Sequence, residues 1–234
     1  MSAPTGPMPI PGVVAAIAGH RSVTAVWVNE LGGMTFAVGS DPAVEYVKVY
    51  PEGDTHLLAD EVERLLWARA YAAVPIVLGS GTGWLHTAAL PGRSAADPLW
   101  SGHPETAARA IGAGLRRLHD ALPVGDCPFG PPSWVGDATP ATDRLVVCHG
   151  YACAPNTLMA NDGTCSGHVD LGDLGIADYW ADLAVATLSL DWNYPGEEDE
   201  DRQLALLDAY GVAPDRERIA SYRARWNNGP VAPR

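Results

Sequence analysis

Residues 149–182 of the chain read HGYACAPNTLMANDGTCSGHVDLGDLGIADYWAD, and this stretch decides the fold. The apolar run Leu145–Cys148 predicts a buried strand that leads into it. Asn161-Asp162-Gly163 predicts a tight turn between two short strands, and Asp170 follows the second of them. The predicted order is therefore a strand, a loop that carries Asn156, a hairpin and a strand-terminal aspartate.

This order is suited to phosphoryl transfer, which needs a divalent metal with oxygen ligands, a lysine on the nucleotide phosphates and a group that places the acceptor hydroxyl. Asn156 and Asp170 could supply the metal ligands, Lys48 the phosphate contact and Glu61 the carboxylate that pairs with the lysine. An aspartate after a strand is also a common turn residue, and HG dipeptides are frequent. The residues alone therefore leave the assignment open.

Lys48 is the only lysine in a chain with 15 basic residues. It lies in the alternating segment Val44–Tyr50, which predicts a strand. One interpretation is an exposed strand lysine with no special role. The other is a compact ammonium that a planar guanidinium replaces poorly.

The first third of the chain predicts strands at 23–28, 34–38, 44–50, 75–78 and 84–87, with one helix at 57–72 between the third and fourth. Gly79–Gly83 is the predicted turn between the last two strands. The order β-β-β-α-β-β indicates a small antiparallel sheet with one helix.

Ala89–Arg93 is a predicted boundary, because its Pro-Gly pair ends the strands and helical periodicity follows. Helices are predicted at 103–122, 177–191, 199–210 and 219–226. The segment Pro123–Thr142, rich in Pro, Gly and Asp, is a predicted loop.

The net charge of −13 argues against nucleic acid and anionic membranes as partners and favours cationic small molecules. No apolar run is long enough for a transmembrane helix, and the N-terminus lacks the basic region of a signal peptide. We therefore expect a cytoplasmic protein with no membrane partner.

The four cysteines have no CxxC spacing, so we expect reduced thiols rather than a zinc site. An unrelated metal-binding or hydrolytic protein that uses Cys148 and His149 is a further alternative. No GxSxG or HExxH motif supports it.

The patterns HG-x-ACAPN-x-L (149–158) and GHVDLG-x-LG-x-AD-x-WADLA (167–184) resemble the aminoglycoside 3′-phosphotransferase family, relatives of protein kinases. Thr87–Arg93 resembles the hinge of that family, and Leu115–His119 its first C-lobe helix. The resemblance implies an α+β, two-lobed protein-kinase-like fold with a small antiparallel-sheet N-lobe and a mainly helical C-lobe. It implies a nucleotide-binding lobe at 1–88, a hinge at 89–93 and a lobe with the metal and acceptor sites at 94–234.

The same resemblance implies residue roles and cofactors. ATP would be held by Lys48, paired with Glu61, by Thr35 in the Gly32–Thr35 turn over the phosphates, and by Ala89, while Asn156 and Asp170 would bind Mg²⁺. His149 would have a structural role, and Glu63 would point to another helix face than Glu61. The implied function is transfer of the γ-phosphate to a hydroxyl of a small acceptor, an aminoglycoside or another cation, as in antibiotic resistance.

Tyr151 stands where the family has the aspartate that accepts or orients the proton of the attacked hydroxyl. A tyrosine phenol has an ordinary pKa of about 10, so it is neutral at pH 7 and a poor base. The bulky ring would project toward the acceptor. Loss of a positioned base costs roughly 10²- to 10⁴-fold in rate, so the alternative is an inactive kinase-fold protein that binds nucleotide or a partner.

Other positions also differ from the family pattern, and most of them are positions where the family binds the antibiotic. Asp173 replaces an arginine, and the segment Pro123–Thr142 is shorter than usual. Leu188, Ser189 and Trp192 stand where aminoglycoside-resistance enzymes carry charged substrate contacts, and residues 226–229 lack an acidic and aromatic end. The nucleotide and metal positions are therefore kept more fully than the antibiotic positions.

Overall fold

A computed structural model describes residues 4, 6, 8–29, 31–136, 142–194, 196 and 199–228 of the chain. The described residues form two compact units: those up to 69 together with 75–89, and 70–74 together with those from 90 to 228. Among the described residues, no helix combines the length and apolar character needed to cross a membrane.

The first unit is a five-stranded antiparallel sheet with two helices. In chain order its elements are α1 (Gly12–Ala18), β1 (Val23–Val28), β2 (Met34–Val38), β3 (Glu45–Val49), α2 (Thr55–Ala68), β4 (Val77–Gly81) and β5 (Trp84–Ala88). The strands lie in the order β1-β2-β3-β5-β4, and each neighbouring pair is antiparallel. The predicted β-β-β-α-β-β order is confirmed, and α1 is an addition to it.

Side chains along β2 and β3 alternate between two faces of this sheet: a core face, which packs on α1, and the opposite face, termed the second face. Phe36, Val38 and Val47 are fully buried and pack with Val14 and Ala18 of α1. Because successive strand residues point to opposite faces, Lys48 points away from this core.

Two predicted boundaries in this unit are wrong. Gly79–Gly81 are not a turn but pair with β5, because the Trp84 ring packs so closely that a Cβ at Gly81 would lie 2.4 Å from its Nε1. The turn is the dipeptide Thr82-Gly83. Helix α2 ends at Ala68 rather than at residue 72, because the chain leaves for the other unit, where the Ala73 carbonyl accepts a hydrogen bond from the backbone N–H of His168 at 3.2 Å.

The second unit is mainly helical. Its elements are β6 (Arg93–Ser94), α3 (Pro98–Ser101), α4 (Pro104–Ala121), β7 (Leu145–Cys148), β8 (Thr157–Met159), β9 (Cys165–His168), β10 (Gly175–Asp178), α5 (Trp180–Asn193), α6 (Asp199–Tyr210) and α7 (Arg216–Asn228). Strands β6, β8 and β9 form one small sheet, and β7 pairs with β10. Helix α4 packs along α6, and α5 along α7.

The start of α5 differs from the prediction. Ala177 and Asp178 belong to β10, where they pair with Val146 and Leu145. The Asp178 carboxylate accepts a hydrogen bond from the Trp180 N–H at 3.1 Å, so the helix begins after it. The predicted loop at 123–142 contains one 3₁₀ turn (Val124–Asp126), and residues 137–141 lie outside the described residues.

Together, a small antiparallel sheet in one unit and a mainly helical second unit confirm the predicted α+β class. None of the four cysteines forms a disulfide bond.

Candidate active site

Lys48 and Glu61 form an ion pair in the first unit. The Lys48 ammonium lies 2.7 and 2.9 Å from the two carboxylate oxygens of Glu61. The Glu61 side chain is only 7% exposed and that of Lys48 24%. Glu63, two residues later on α2, is exposed. A buried carboxylate needs a charged partner, so the pair fixes the lysine on the second face of the sheet.

Thr35 lies directly opposite Lys48 in the β2–β3 ladder. The turn that precedes it is closed on Asn29, whose Oδ1 accepts hydrogen bonds from the N–H groups of Leu31 and Gly33 at 3.1 and 2.7 Å. A Cβ at Gly33 would lie 2.7 Å from the Tyr50 ring. The predicted phosphate turn at Gly32–Thr35 is thus tight at its start, and its last two residues, Met34 and Thr35, belong to β2. Position 30, just before it, lies outside the described residues.

Ala89 ends the first unit. Its backbone N–H donates to the carbonyl of Val44 at 3.2 Å. Any contact of the Ala89 backbone with a nucleotide would therefore use its carbonyl oxygen.

Asn156 and Asp170 are neighbours in the second unit. The N–H of Val169 donates to the Asn156 carbonyl at 3.0 Å and extends the β8–β9 pairing by one step. Asn156 is 8% exposed. Asp170 has a φ of +64°, which a non-glycine residue adopts only at a cost and which is found at functional sites. Carboxylate and amide oxygens are ligands that Mg²⁺ accepts, so these residues fit a magnesium site.

Tyr151 does not project into open space. It is 5% exposed, and its ring stacks on Trp226 of α7 with centroids 5.2 Å apart and an interplanar angle of 26°. Trp226 in turn meets Trp134 edge to face at 5.1 Å, and the Trp134 indole N–H donates to the Gly150 carbonyl at 2.7 Å. The expected projection toward an acceptor is replaced by an aromatic cluster.

His149 is held by hydrogen bonds at both ring nitrogens. Its Nδ1 accepts from the Tyr151 N–H at 3.2 Å, which leaves Nε2 to donate to the Val169 carbonyl at 3.0 Å. Burial lowers the pKa of His149, so the ring is neutral. These contacts fit the structural role that the family resemblance implies.

Asp182 joins this loop to the helices. Its carboxylate accepts the backbone N–H groups of His149 and Gly150 and a hydrogen bond from His119 at 2.9 Å, and His119 bonds the Tyr210 hydroxyl at 2.8 Å. The Cys148 thiol lies near His119 and Asp182. Burial raises the pKa of Cys148 well above its usual value, so the thiol is a poor nucleophile. The hydrolytic alternative gains no support.

Ser189 is a residue whose role the sequence did not reveal. It was expected at a substrate-contact position, yet it is fully buried, and its hydroxyl accepts the N–H of Ala154 at 2.9 Å. It therefore supports the 3₁₀ turn that ends in Asn156. Trp192, at another position where the family carries a charged substrate contact, is 53% exposed.

Asp173, the residue in place of an arginine, binds Ser133. Its two carboxylate oxygens accept the Ser133 N–H at 2.9 and 3.1 Å, and one also accepts the Ser133 hydroxyl at 3.1 Å. Asp173 thus anchors the loop that contains Ser133.

A sequence profile of the Phosphotransferase enzyme family (APH) matches residues 131–222. The aminoglycoside 3′-phosphotransferase of Streptomyces fradiae is 30% identical over 258 aligned positions, which cover 87% of this chain and 94% of that protein. The streptomycin 3″-kinase of Streptomyces griseus is 31% identical, with 85% of this chain and 89% of that protein covered. Because 258 positions exceed the 234 residues of this chain, the first of these relatives contains segments that the chain lacks.

Solved structures of aminoglycoside phosphotransferases are also similar to this chain. An aminoglycoside 3′-phosphotransferase of type VIII superposes with a TM-score of 0.74 at 26% identity and covers 91% of this chain and 95% of its own. An aminoglycoside phosphotransferase of Streptomyces rimosus, solved in complex with ADP and streptomycin, has a TM-score of 0.69 at 23% identity, with 91% of this chain and 94% of its own covered. The chain belongs to the aminoglycoside phosphotransferase family.

Proposed function

We propose that this protein transfers the γ-phosphate of ATP to a hydroxyl group of a small, cationic acceptor of the aminoglycoside type, with Mg²⁺. The observation that carries the proposal is the buried Lys48–Glu61 pair, because it fixes a single ammonium on the second face of the sheet, where it can meet nucleotide phosphates. Family membership supports the same reaction.

The roles of the two units follow. Residues 1–88 bind the nucleotide through Lys48, with Thr35 beside it, and residues 89–93 act as a hinge that contacts the base through Ala89. Residues 94–234 supply the metal ligands Asn156 and Asp170 and the acceptor site. Bound Mg²⁺ would neutralise charge on the phosphates during transfer.

The acceptor is proposed from charge and from the relatives. A net charge of −13 attracts cations over long range, and the relatives named above include a streptomycin kinase. The need for ATP and the absence of disulfide bonds among the four cysteines agree with a reaction in the cytoplasm.

The hydroxyl group that attacks has no aspartate at position 151 to receive its proton. Phosphoryl transfer depends mainly on positioning and electrostatics, so we expect transfer that is slow, by roughly 10²- to 10⁴-fold, relative to an enzyme with a positioned base.

A direct test has two stages. Calorimetry should detect ATP binding that depends on Mg²⁺ and is weakened at least tenfold by Lys48→Met, while Arg64→Met on the same unit leaves it unchanged. Phosphate transfer from ATP to a panel of aminocyclitols should then identify the acceptor. Absence of ATP binding by the intact chain would refute the proposal.

The burial of Tyr151 against Trp226 favours a second candidate, a protein that binds nucleotide and does not transfer phosphate. Turnover by the natural chain beside Tyr151→Asp distinguishes the two. Measurable transfer by the natural chain excludes the second candidate. If both chains bind ATP and neither modifies any acceptor in the panel, the second candidate is preferred.

A further inference from the structure

The aromatic pair Tyr151–Trp226 lies at the loop that leads to Asn156. Both rings are almost fully buried, at 5% and 3% exposure, and they stack at 5.2 Å. Trp134 completes the contact, since it packs on Trp226 and donates its indole N–H to the Gly150 carbonyl. Helix α7 therefore holds this loop through a side chain 75 positions further along the sequence.

The backbone of Tyr151 connects this pair to the predicted metal ligand. Its carbonyl accepts the backbone N–H of Cys153 at 2.8 Å and the side-chain Nδ2 of Asn156 at 2.9 Å. Its own N–H donates to His149 at 3.2 Å. The position of the ring thus sets the position of the carbonyl that orients the Asn156 amide.

The orientation of that amide decides which atom Asn156 offers to a cation. With Nδ2 bonded to the Tyr151 carbonyl, Oδ1 is the atom directed elsewhere, and an amide oxygen rather than an amide nitrogen is a magnesium ligand. If the carbonyl moves, the amide group loses the hydrogen bond that selects this orientation.

We infer that Trp226 is a positioning residue for the metal ligand Asn156, and that it acts through the ring and the carbonyl of Tyr151. The inference rests on the proposed function, since it assigns magnesium binding to Asn156. It gives Tyr151 a role that needs its aromatic ring and its backbone carbonyl.

The experiment measures the Mg²⁺ concentration at which ADP binding is half-maximal, by calorimetry, in the natural chain and in ring-deleting and ring-keeping variants. Hydrogen-bonded residues around metal ligands commonly contribute 10- to 100-fold to metal affinity. We therefore expect Trp226→Leu and Tyr151→Leu to raise this concentration at least tenfold. Tyr151→Phe and Trp226→Phe should stay within about threefold, because each keeps an aromatic ring.

Trp192→Leu is the matched control, since Trp192 is an exposed tryptophan on α5, and it should leave the value unchanged. ADP binding without Mg²⁺ should be equal in all variants, which separates an effect on the metal from an effect on the nucleotide. A Trp226→Leu protein that is folded by circular dichroism and keeps the natural Mg²⁺ dependence overturns the inference. If the natural chain itself shows no Mg²⁺-dependent binding, it is the proposed function that fails.

A second measurement tests the inference if the leucine variants do not fold. In ¹⁵N-labelled protein, the side-chain amide protons of Asn156 should exchange slowly with solvent in the natural chain and in Trp226→Phe. In Trp226→Met, they should exchange at least tenfold faster while the backbone amides of α4, in the same unit, remain protected. Equal Asn156 protection in all three proteins contradicts the inference without reference to any nucleotide.

Discussion

The carboxylate of Asp182, on α5, lies 2.6 Å from the backbone nitrogen of His149 and accepts its hydrogen bond. The same carboxylate accepts the Gly150 N–H and pairs with His119. Since its side chain and that of His119 are both fully buried, the loop that precedes Tyr151 depends on an acceptor inside the helical core.

Removal of this acceptor should lower stability sharply. Asp182→Ala leaves a buried histidine and two backbone N–H groups without their acceptor, and leaving a buried donor unsatisfied costs about 1–3 kcal/mol. The free energy of unfolding, measured by urea denaturation, should fall by that amount. Asp60→Ala, an exposed carboxylate on α2 with a partner at 4.0 Å, should change it by under about 1 kcal/mol. A loss below about 1 kcal/mol in Asp182→Ala would contradict the network.

Acidification should destabilise the fold through buried histidines. Burial lowers the pKa of His168 from 6.5 to about 3, and repulsion by His149 adds to it; burial also lowers the pKa of His149. The unfolded chain takes up these protons more readily than the folded one. The contribution of the neutral histidines to the free energy of unfolding is therefore fully present above about pH 6.5 and is lost as the pH falls toward 3. The loss is at most about 1.4 kcal/mol per pH unit for each histidine.

Urea denaturation between pH 7.5 and 4.5 measures this slope. His168→Gln should make the slope shallower, since its buried group no longer titrates. His56→Gln, which replaces an exposed histidine, should keep the natural slope. Identical slopes in the three proteins would show that His168 does not contribute to the pH dependence.

Gly150 should not tolerate a side chain. Its φ is +81°, and a Cβ would lie 2.0 Å from the carbonyl oxygen of Asp173. Strain at positive φ and overpacking each cost about 1–3 kcal/mol, so Gly150→Ala should lower the free energy of unfolding by at least about 2 kcal/mol. Thermal denaturation of both variants checks this. Gly125, where a Cβ meets nothing within 4 Å, is the control, and Gly125→Ala should change the free energy of unfolding by less than about 0.5 kcal/mol. Equal melting temperatures would refute this prediction.

Ser189 should support the turn that carries Asn156. Ser189→Ala removes the hydroxyl that accepts the Ala154 N–H, and a buried donor without its partner costs about 1–3 kcal/mol. We expect a lower melting temperature together with a higher Mg²⁺ requirement for ADP binding. Ser80→Ala, an exposed serine on β4, should change neither property. If Ser189→Ala keeps the natural melting temperature and Mg²⁺ dependence, Ser189 does not support the turn that carries Asn156.

Several elements were predictable because their signals are local. The strands β1 and β2 and the helix α6 begin and end where the sequence predicts, since each has β-prone residues or helical periodicity bounded by turn residues. Helix α1 was missed because it is only seven residues long and follows a proline-rich segment. The start of α5 was misplaced because β10 and most of α5 are both buried, so no change of hydrophobic period marks the boundary between them.

The sequence alone determined the candidate groups: a single lysine on an alternating strand, a carboxylate on the next helix, and an asparagine and an aspartate on either side of a hairpin. These follow from residue type and from spacing over fewer than 15 positions, where strand and turn geometry fix the neighbours. Only the tertiary structure decided that Tyr151 stacks on Trp226 and that Ser189 bonds Ala154. Those contacts join residues 35 or more positions apart, and the packing of α5 and α7 sets them, which no local periodicity encodes.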